Sequence, residues 1–347
     1  MIASAAVLAQ VQQLTLMEEI AQLTLQGLGL GAIYALIALG FVIVYKATEV
    51  INFAHGGLML LGTYIVFTLM AGVFPSGADT PAGQQSSNFP SWLQWWLEIP
   101  LGWRFGLTIL VAAIIVGFVG VLIERIVLRR MVAQPVFAVV LITLGIELII
   151  ATTVQVLWSP QQKVLPSPLP PALSLQIGNI AIQWANIWAF IAMTISVVAV
   201  FAFFRYSRFG LALRATAFDQ EASMAMGIKT STIFAIAWAM AGVLAVIAAA
   251  FFVPARLAGF ITLTPVRFAA LAAFPAAILG GLDSPGGAVV GGLTIGVAQV
   301  LSARWLNPVF LGWGLPNFHL VFPYMLMILI LLIRPYGLFG TPEVRRV

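Results

Sequence analysis

The feature that most constrains this chain is repetition. Nine apolar stretches follow one another with mostly short connections, at 23–45, 57–74, 103–124, 136–158, 182–204, 233–253, 265–281, 286–303 and 318–334. A helix needs about 20 mainly apolar residues to cross a bilayer. In lipid every backbone polar group must be paired within the protein, so such stretches become helices. The expected fold is all-α: one polytopic membrane bundle over residues 1–347, with about eight or nine transmembrane spans. Composition agrees, because only 8% of the residues are charged while 62% are hydrophobic, against about 25% charged in soluble domains. A soluble globule, a disordered chain and a nucleic-acid binder are excluded, despite a pI near 9.9. The natural partner of such a surface is a lipid bilayer.

The second, seventh, eighth and ninth stretches are short for a straight crossing. The seventh and eighth flank the turn LDSPG and read either as two spans or as a partly re-entrant hairpin. Residues 12–21 are too polar to span and read as an interfacial helix or as the frayed start of the first span. The first basic residue is Lys46, so the apolar start lacks the basic region of a secretory signal.

Orientation follows from the Lys and Arg residues, which concentrate on the cytoplasmic side of membrane proteins. With the N-terminus outside, the inner segments hold Lys46; Arg125, Arg129 and Arg130; Arg205, Arg208, Arg214 and Lys229; and Arg334, Arg345 and Arg346. The outer side holds only Arg104, Lys163, Arg256, Arg267 and Arg304. The C-terminus is therefore expected in the cytoplasm. Two outer loops stand apart: 75–102, ending in Trp92, Trp95 and Trp96 at the lipid interface, and the proline-rich 159–181, irregular or extended.

Enzyme machinery is missing from the sequence. There is no cysteine, and His55 and His319 are the two histidines, too few for a typical zinc site. Neither a GxSxG nucleophile elbow nor a GxxxxGK[ST] phosphate loop occurs. The carboxylates are scattered, and Asp283 reads as a cap or turn former between the seventh and eighth stretches. No catalysis, metal or bound cofactor is expected of this chain.

Four features remain. Asn52, Phe53, Ala54, His55, Gly56 and Gly57 interrupt two apolar stretches at the expected cytoplasmic boundary. Backbone that leaves helical geometry at membrane depth needs protein or a water-filled cavity around it. The break therefore reads as a gate or part of a solute path, together with Tyr34 on the first span, or as a tight structural turn with His55 buried. Glu147 is the one carboxylate well inside a stretch, where a charge costs at least about 2.5–3.5 kcal/mol. It is expected to face protein or a cavity, protonated or paired with an ammonium. Gly27 with Gly31, and Gly287 with Gly291, have the spacing that lets helices approach closely. Arg256 and Arg267 are expected to snorkel to the outer surface. Finally, the charged loop 205–234 can form helices along the membrane, with Ala215, Phe218, Ala222 and Met226 on one face.

Within that loop EASMAMG, Glu221 to Gly227, resembles the E-A-A-x-x-x-G element of ABC importer permeases, with Ser223 where the family has its second alanine. LRATAFDQEASMAMGI, AAILGGLDSPGGAVVGGLTIGVAQ and RPYGLFGTPEVRRV resemble segments of the branched-chain amino acid importer permeases. GLGLGAIYALIALGFVIVYKATEVINFAHGGLMLLGTY is similar to that family's first two spans, including N-F-A-H-G at Asn52–Gly56, and IERIVLRRM to a basic loop after the third. The likeness is nearer to the H-type subunit than to its M-type partner. It implies a subunit of the bacterial inner membrane that works with a second permease, M-type or homologous, two ATP-binding cassette subunits and a periplasmic or extracellular solute-binding protein. Magnesium ATP would be held by the cassette subunits. The coupling loop, about 205–232, would dock on a cassette through Arg214, Ala215, Asp219, Glu221, Ala222, Ser223, Gly227 and Ile228. Glu147 departs from the family's small residue and inherits no role. The solute expected is a branched-chain or related amino acid; urea, short amides or aromatic acids are the alternative.

Overall fold

The computed structural model describes residues 15–75, 88–131, 134–170, 173–218 and 220–341. Helices α1 (Leu16–Thr48), α2 (His55–Ala71), α3 (Leu101–Ile126), α4 (Val136–Trp158) and α5 (Trp184–Tyr206) come first. Two short helices follow, α6 (Arg208–Phe218) and α7 (Gln220–Ala225). The chain then forms α8 (Thr230–Arg256), α9 (Leu263–Gly280), α10 (Pro285–Leu311) and α11 (Phe318–Ile333). Seven of these are long and apolar enough to cross a membrane: α1, α3, α4, α5, α8, α9 and α10. Helices α2 and α11 are apolar but have 17 and 16 residues, about 26 and 24 Å at 1.5 Å per residue. The second and ninth stretches are short, as expected. The eighth is not: its helix runs 27 residues.

From Leu16 on, the polar residues before the first stretch belong to α1 itself and are neither a separate interfacial helix nor frayed; residues 12–14 lie outside the described residues. Helix α1 starts at Leu16 on a capping box: Glu18 N–H donates to Thr15 Oγ1 at 3.3 Å while Thr15 N–H donates to Glu18 Oε2 at 2.8 Å. Two of the helix's free amino-terminal donors are thereby satisfied.

Helix α1 is the axis of the bundle. It packs most extensively on α10, then on α8, α5 and α9, and Ala32 through Leu39 are all buried. Glycines set the α1–α10 seam. A Cβ on Gly31 would lie 2.7 Å from the Leu293 Cα, and one on Gly27 would lie 2.6 Å from the Val297 Cα. Of the anticipated glycine pairs, Gly27 and Gly31 meet α10, whereas Gly287 and Gly291 meet the backbone of α9. Both pairs are therefore used inside the chain. Helices α3, α4 and α5, by contrast, leave broad apolar faces exposed, with Ile114, Leu148 and Ile195 among them.

The two ends of the bundle are tied differently. At one end Lys46 Nζ donates to the Asp283 carbonyl at 2.9 Å, and Thr341 N–H donates to Asp283 Oδ2 at 2.9 Å. Ser284, not Asp283, caps α10, its Oγ accepting from Gly287 N–H at 3.1 Å. The tail lies along the same turn: Leu338 and Phe339 N–H donate to the carbonyls of Leu279 and Gly280. At the other end Glu19 pairs with Arg304, and Asn179 donates to Glu18 at 2.9 Å. The proline-rich loop there adds small antiparallel pairs. Strand β1 (Lys163–Val164) pairs with β4 (Phe260–Ile261), and β2 (Ser174–Ile177) pairs with β3 (Ile180–Gln183) through a turn at Gly178. Trp92, Trp95 and Trp103 are exposed, and Trp96 Nε1 donates to the Leu69 carbonyl at 3.0 Å.

Candidate functional site

Helix α1 ends where Glu49 takes a left-handed conformation (φ 57°) and donates its N–H back to Tyr45. The chain then turns inward. Asn52 does not cap α2 directly. Its Oδ1 accepts from Ala54 N–H at 3.0 Å, an Asx turn just before the helix, and Phe53 N–H donates to Thr143 Oγ1 of α4 at 3.3 Å. Phe53 also stacks near Phe274, which reaches Phe41 at 5.8 Å between ring centroids.

The depth of this break is the main departure from expectation. The break does not sit at the boundary of the bundle. Gly56 lies against the Arg267 carbonyl of α9, Gly57 against the Glu147 backbone of α4, and the His55 ring against Gly40 of α1. Glu147 is near the middle of a 23-residue helix, so α2 starts well inside the protein. Asn52 is 1% exposed and His55 0% exposed. Asn52 Nδ2 and both ring nitrogens of His55 have no hydrogen-bond partner among the described residues. Buried polar atoms are nearly always paired, so a cluster of exceptions calls for a reason.

Two other expectations change. Arg267 does not snorkel: its Nε and a terminal amine hold both Glu147 oxygens, at 2.8 and 2.9 Å. Glu147 is thus paired by an arginine within the chain, not by a bound ammonium. The side chains are 31% and 17% exposed for Arg267 and Glu147, so the pair is screened only in part. Tyr34 lies in the interior of the bundle, away from the break. It is buried and donates to Gln299 Oε1 of α10 at 2.8 Å, and the enclosure of α1 leaves that span no outer face there.

A residue absent from the sequence reading also enters. Glu124 of α3 is 1% exposed, and its Oε1 has no partner among the described residues. It lines a cavity of about 160 Å³ together with Asn52 and Thr143.

Within the loop 205–234 the described residues form the two helices α6 and α7. Arg214 donates to the Phe204 carbonyl, Ala215 is half-buried and Ser223 buried. Asp219 lies outside the described residues, as do the side chains of Phe218 and Glu221. Helix α7 stops at Ala225 for a local reason. Gly227 takes φ +83°, Ile228 N–H donates to the Ser223 carbonyl, and Gly227 N–H donates to the Met224 carbonyl. This Schellman pairing favours glycine at the left-handed position. The shared face with Ala215 is not formed: Ala222 is exposed and Met226 is 84% exposed.

Comparison with known proteins follows the same lines. Residues 23–331 match the family model for the permease component of the branched-chain amino acid transport system. The high-affinity branched-chain amino acid transport system permease protein LivH of Salmonella typhimurium is 30% identical over 326 residues, covering 92% of this chain and 96% of that protein. LivH of Escherichia coli K12 is 29% identical with the same coverage. The permease protein BraD of Pseudomonas aeruginosa is 29% identical over 94% of this chain and 97% of its own length. No solved structure matches the chain.

Proposed function

We infer the cargo and assembly from one premise: the chain belongs to the family of branched-chain amino acid transport system permeases. It is a multi-span membrane subunit of an ABC transport system, and its work is transport, not catalysis. We propose that it carries branched-chain or chemically related amino acids inward, as a single permease domain with nine membrane-entering helices. The observation that carries this reading is the break at Asn52–Gly57. It places three buried, unpartnered polar atoms of Asn52 and His55 close together inside the bundle, where a polar solute needs them.

The proposed orientation places the N-terminus outside. It is supported by the grouping of Lys46, Asp283 and Thr341 at one end and of Glu18, Glu19, Asn179 and Arg304 at the other. The proposed partners are a second permease, two ATP-binding subunits that hold magnesium ATP, and a solute-binding protein. Segment α6–α7 is the proposed contact with an ATP-binding subunit. Leu211, Met224 and Met226 are exposed there, and a partner would cover them. The full set, reconstituted in proteoliposomes, is expected to accumulate leucine only with ATP on the cytoplasmic side. Accumulation of urea, a short amide or an aromatic acid in place of leucine would overturn the cargo. ATP hydrolysis by the purified chain alone would overturn the division of labour.

A further inference from the structure

The small cavity beside the break has the chemistry of an amino acid zwitterion written into its walls. Glu124 comes from α3 and Asn52 from the α1–α2 connection, and both line the same space of about 160 Å³. An engineered cavity of about 150 Å³ in another protein holds benzene, so this one is of the size that takes a small organic molecule. Glu124 is 1% exposed with Oε1 unpartnered, and Asn52 is 1% exposed with Nδ2 unpartnered. One is an acceptor carrying negative charge; the other is a donor held in place because its Oδ1 is already engaged by Ala54. The remaining wall carries a second carboxylate, Glu49, and the uncharged polar Thr48, Gln134 and Thr143; the rest is aliphatic and aromatic, including Val44, Leu128, Val139 and Trp238.

The positive charges of Arg129 and Arg125 act on Glu124 from a distance, without a direct bond to it. Arg125 and Arg129 follow it on the chain, and on its other side all three border a larger cavity that Lys229 also lines. Neither arginine forms an ion pair with it among the described residues. A buried carboxylate that keeps Oε1 without a hydrogen bond is costly for a purely structural role. An arriving cation would remove that cost.

We propose that this cavity is a binding site for an aliphatic α-amino acid in transit. Glu124 receives the ammonium, Asn52 Nδ2 donates to the carboxylate, and the side chain lies against Val139 and Leu128. The assignment rests on the cargo proposed above and adds the two residues that read its charged groups.

The test uses the absence of native cysteine. Val139→Cys is placed in the assembled transporter in nanodiscs, and its labelling by a water-soluble maleimide is read by mass spectrometry on this chain. Leucine is expected to slow labelling at least fivefold, while 4-methylpentanoate, lacking the ammonium, and 3-methylbutylamine, lacking the carboxylate, protect little. Glu124→Gln keeps the shape and is expected to abolish protection with assembly intact; Glu124→Asp is expected to retain part of it. ATP-driven leucine uptake is measured on the same preparations. Uptake with no protection by leucine, or equal protection in Glu124→Gln, overturns the site. Protection with no uptake supports the site and overturns the transport reading instead.

Discussion

The α1–α10 seam lies along α1 and the α1–α2 break just beyond its end, and the two follow opposite rules. In the seam, Gly27 and Gly31 bring backbone against backbone, and its one buried polar pair, Tyr34 with Gln299, is satisfied at 2.8 Å. At the break, Asn52 and His55 are just as buried but keep polar atoms without partners. Close packing with every group paired gives rigidity. Burial without pairing gives up stability for contacts that something else can complete. One region holds the bundle together; the other is the one proposed above to act on a solute.

The largest expected effect tests the seam. Gly31→Leu places a branched side chain where even a Cβ would stand 2.7 Å from the Leu293 Cα. Since overpacking by single methylenes already costs about 1–3 kcal/mol, the variant is expected to yield no monodisperse protein in size-exclusion chromatography. Normal yield would mean that the seam can open. Next comes Arg267→Ala, which strips Glu147 of both its bonds. Loss of a charged hydrogen-bond partner costs about 1–3 kcal/mol, visible as a lowered Tm. Exchanging the two residues should restore most of it if the pair is structural.

Gly227→Ala forces a side chain into the left-handed region at φ +83°, a penalty of roughly 1–2 kcal/mol. It falls on the end of α7 alone, so insertion should be normal while uptake and co-purification of the ATP-binding subunit decline together. A decline in neither removes this segment from the docking contact. The smallest effect on stability belongs to the break. Asn52→Ala removes one Asx bond, about 0.5–1.5 kcal/mol, and should barely move Tm while lowering leucine uptake at least tenfold. If Asn52→Ala instead behaves like Gly31→Leu, the two regions do not differ in kind.

The sequence made the spans legible because apolar runs of this length have few alternatives in lipid. It also marked the break, through Asn52 and the Gly56–Gly57 pair. The depth of the break was hidden, because depth is set by what α4 and α9 place beside it. The Glu147–Arg267 pair joins residues 120 apart, which no local spacing reveals. Glu124 was the avoidable miss. It is the last residue of the stretch 103–124 and is followed directly by Arg125, and Thr108, Ala112, Val116, Gly120 and Glu124 are buried at helical intervals. The stripe of small residues on α3 points straight at it.

The tail carries a consequence for how the protein is made. The carbonyls of Leu279 and Gly280 at the end of α9 receive their bonds from Leu338 and Phe339, and Asp283 receives its own from Thr341. These donors are synthesised some sixty residues after their acceptors. While the ribosome is still adding α10 and α11, the α9–α10 corner waits with exposed acceptors and no lock. A message cut short, or a ribosome stalled before residue 338, leaves that corner open at the membrane surface. The α9–α10 corner is therefore closed only once the chain has been built as far as Leu338, Phe339 and Thr341.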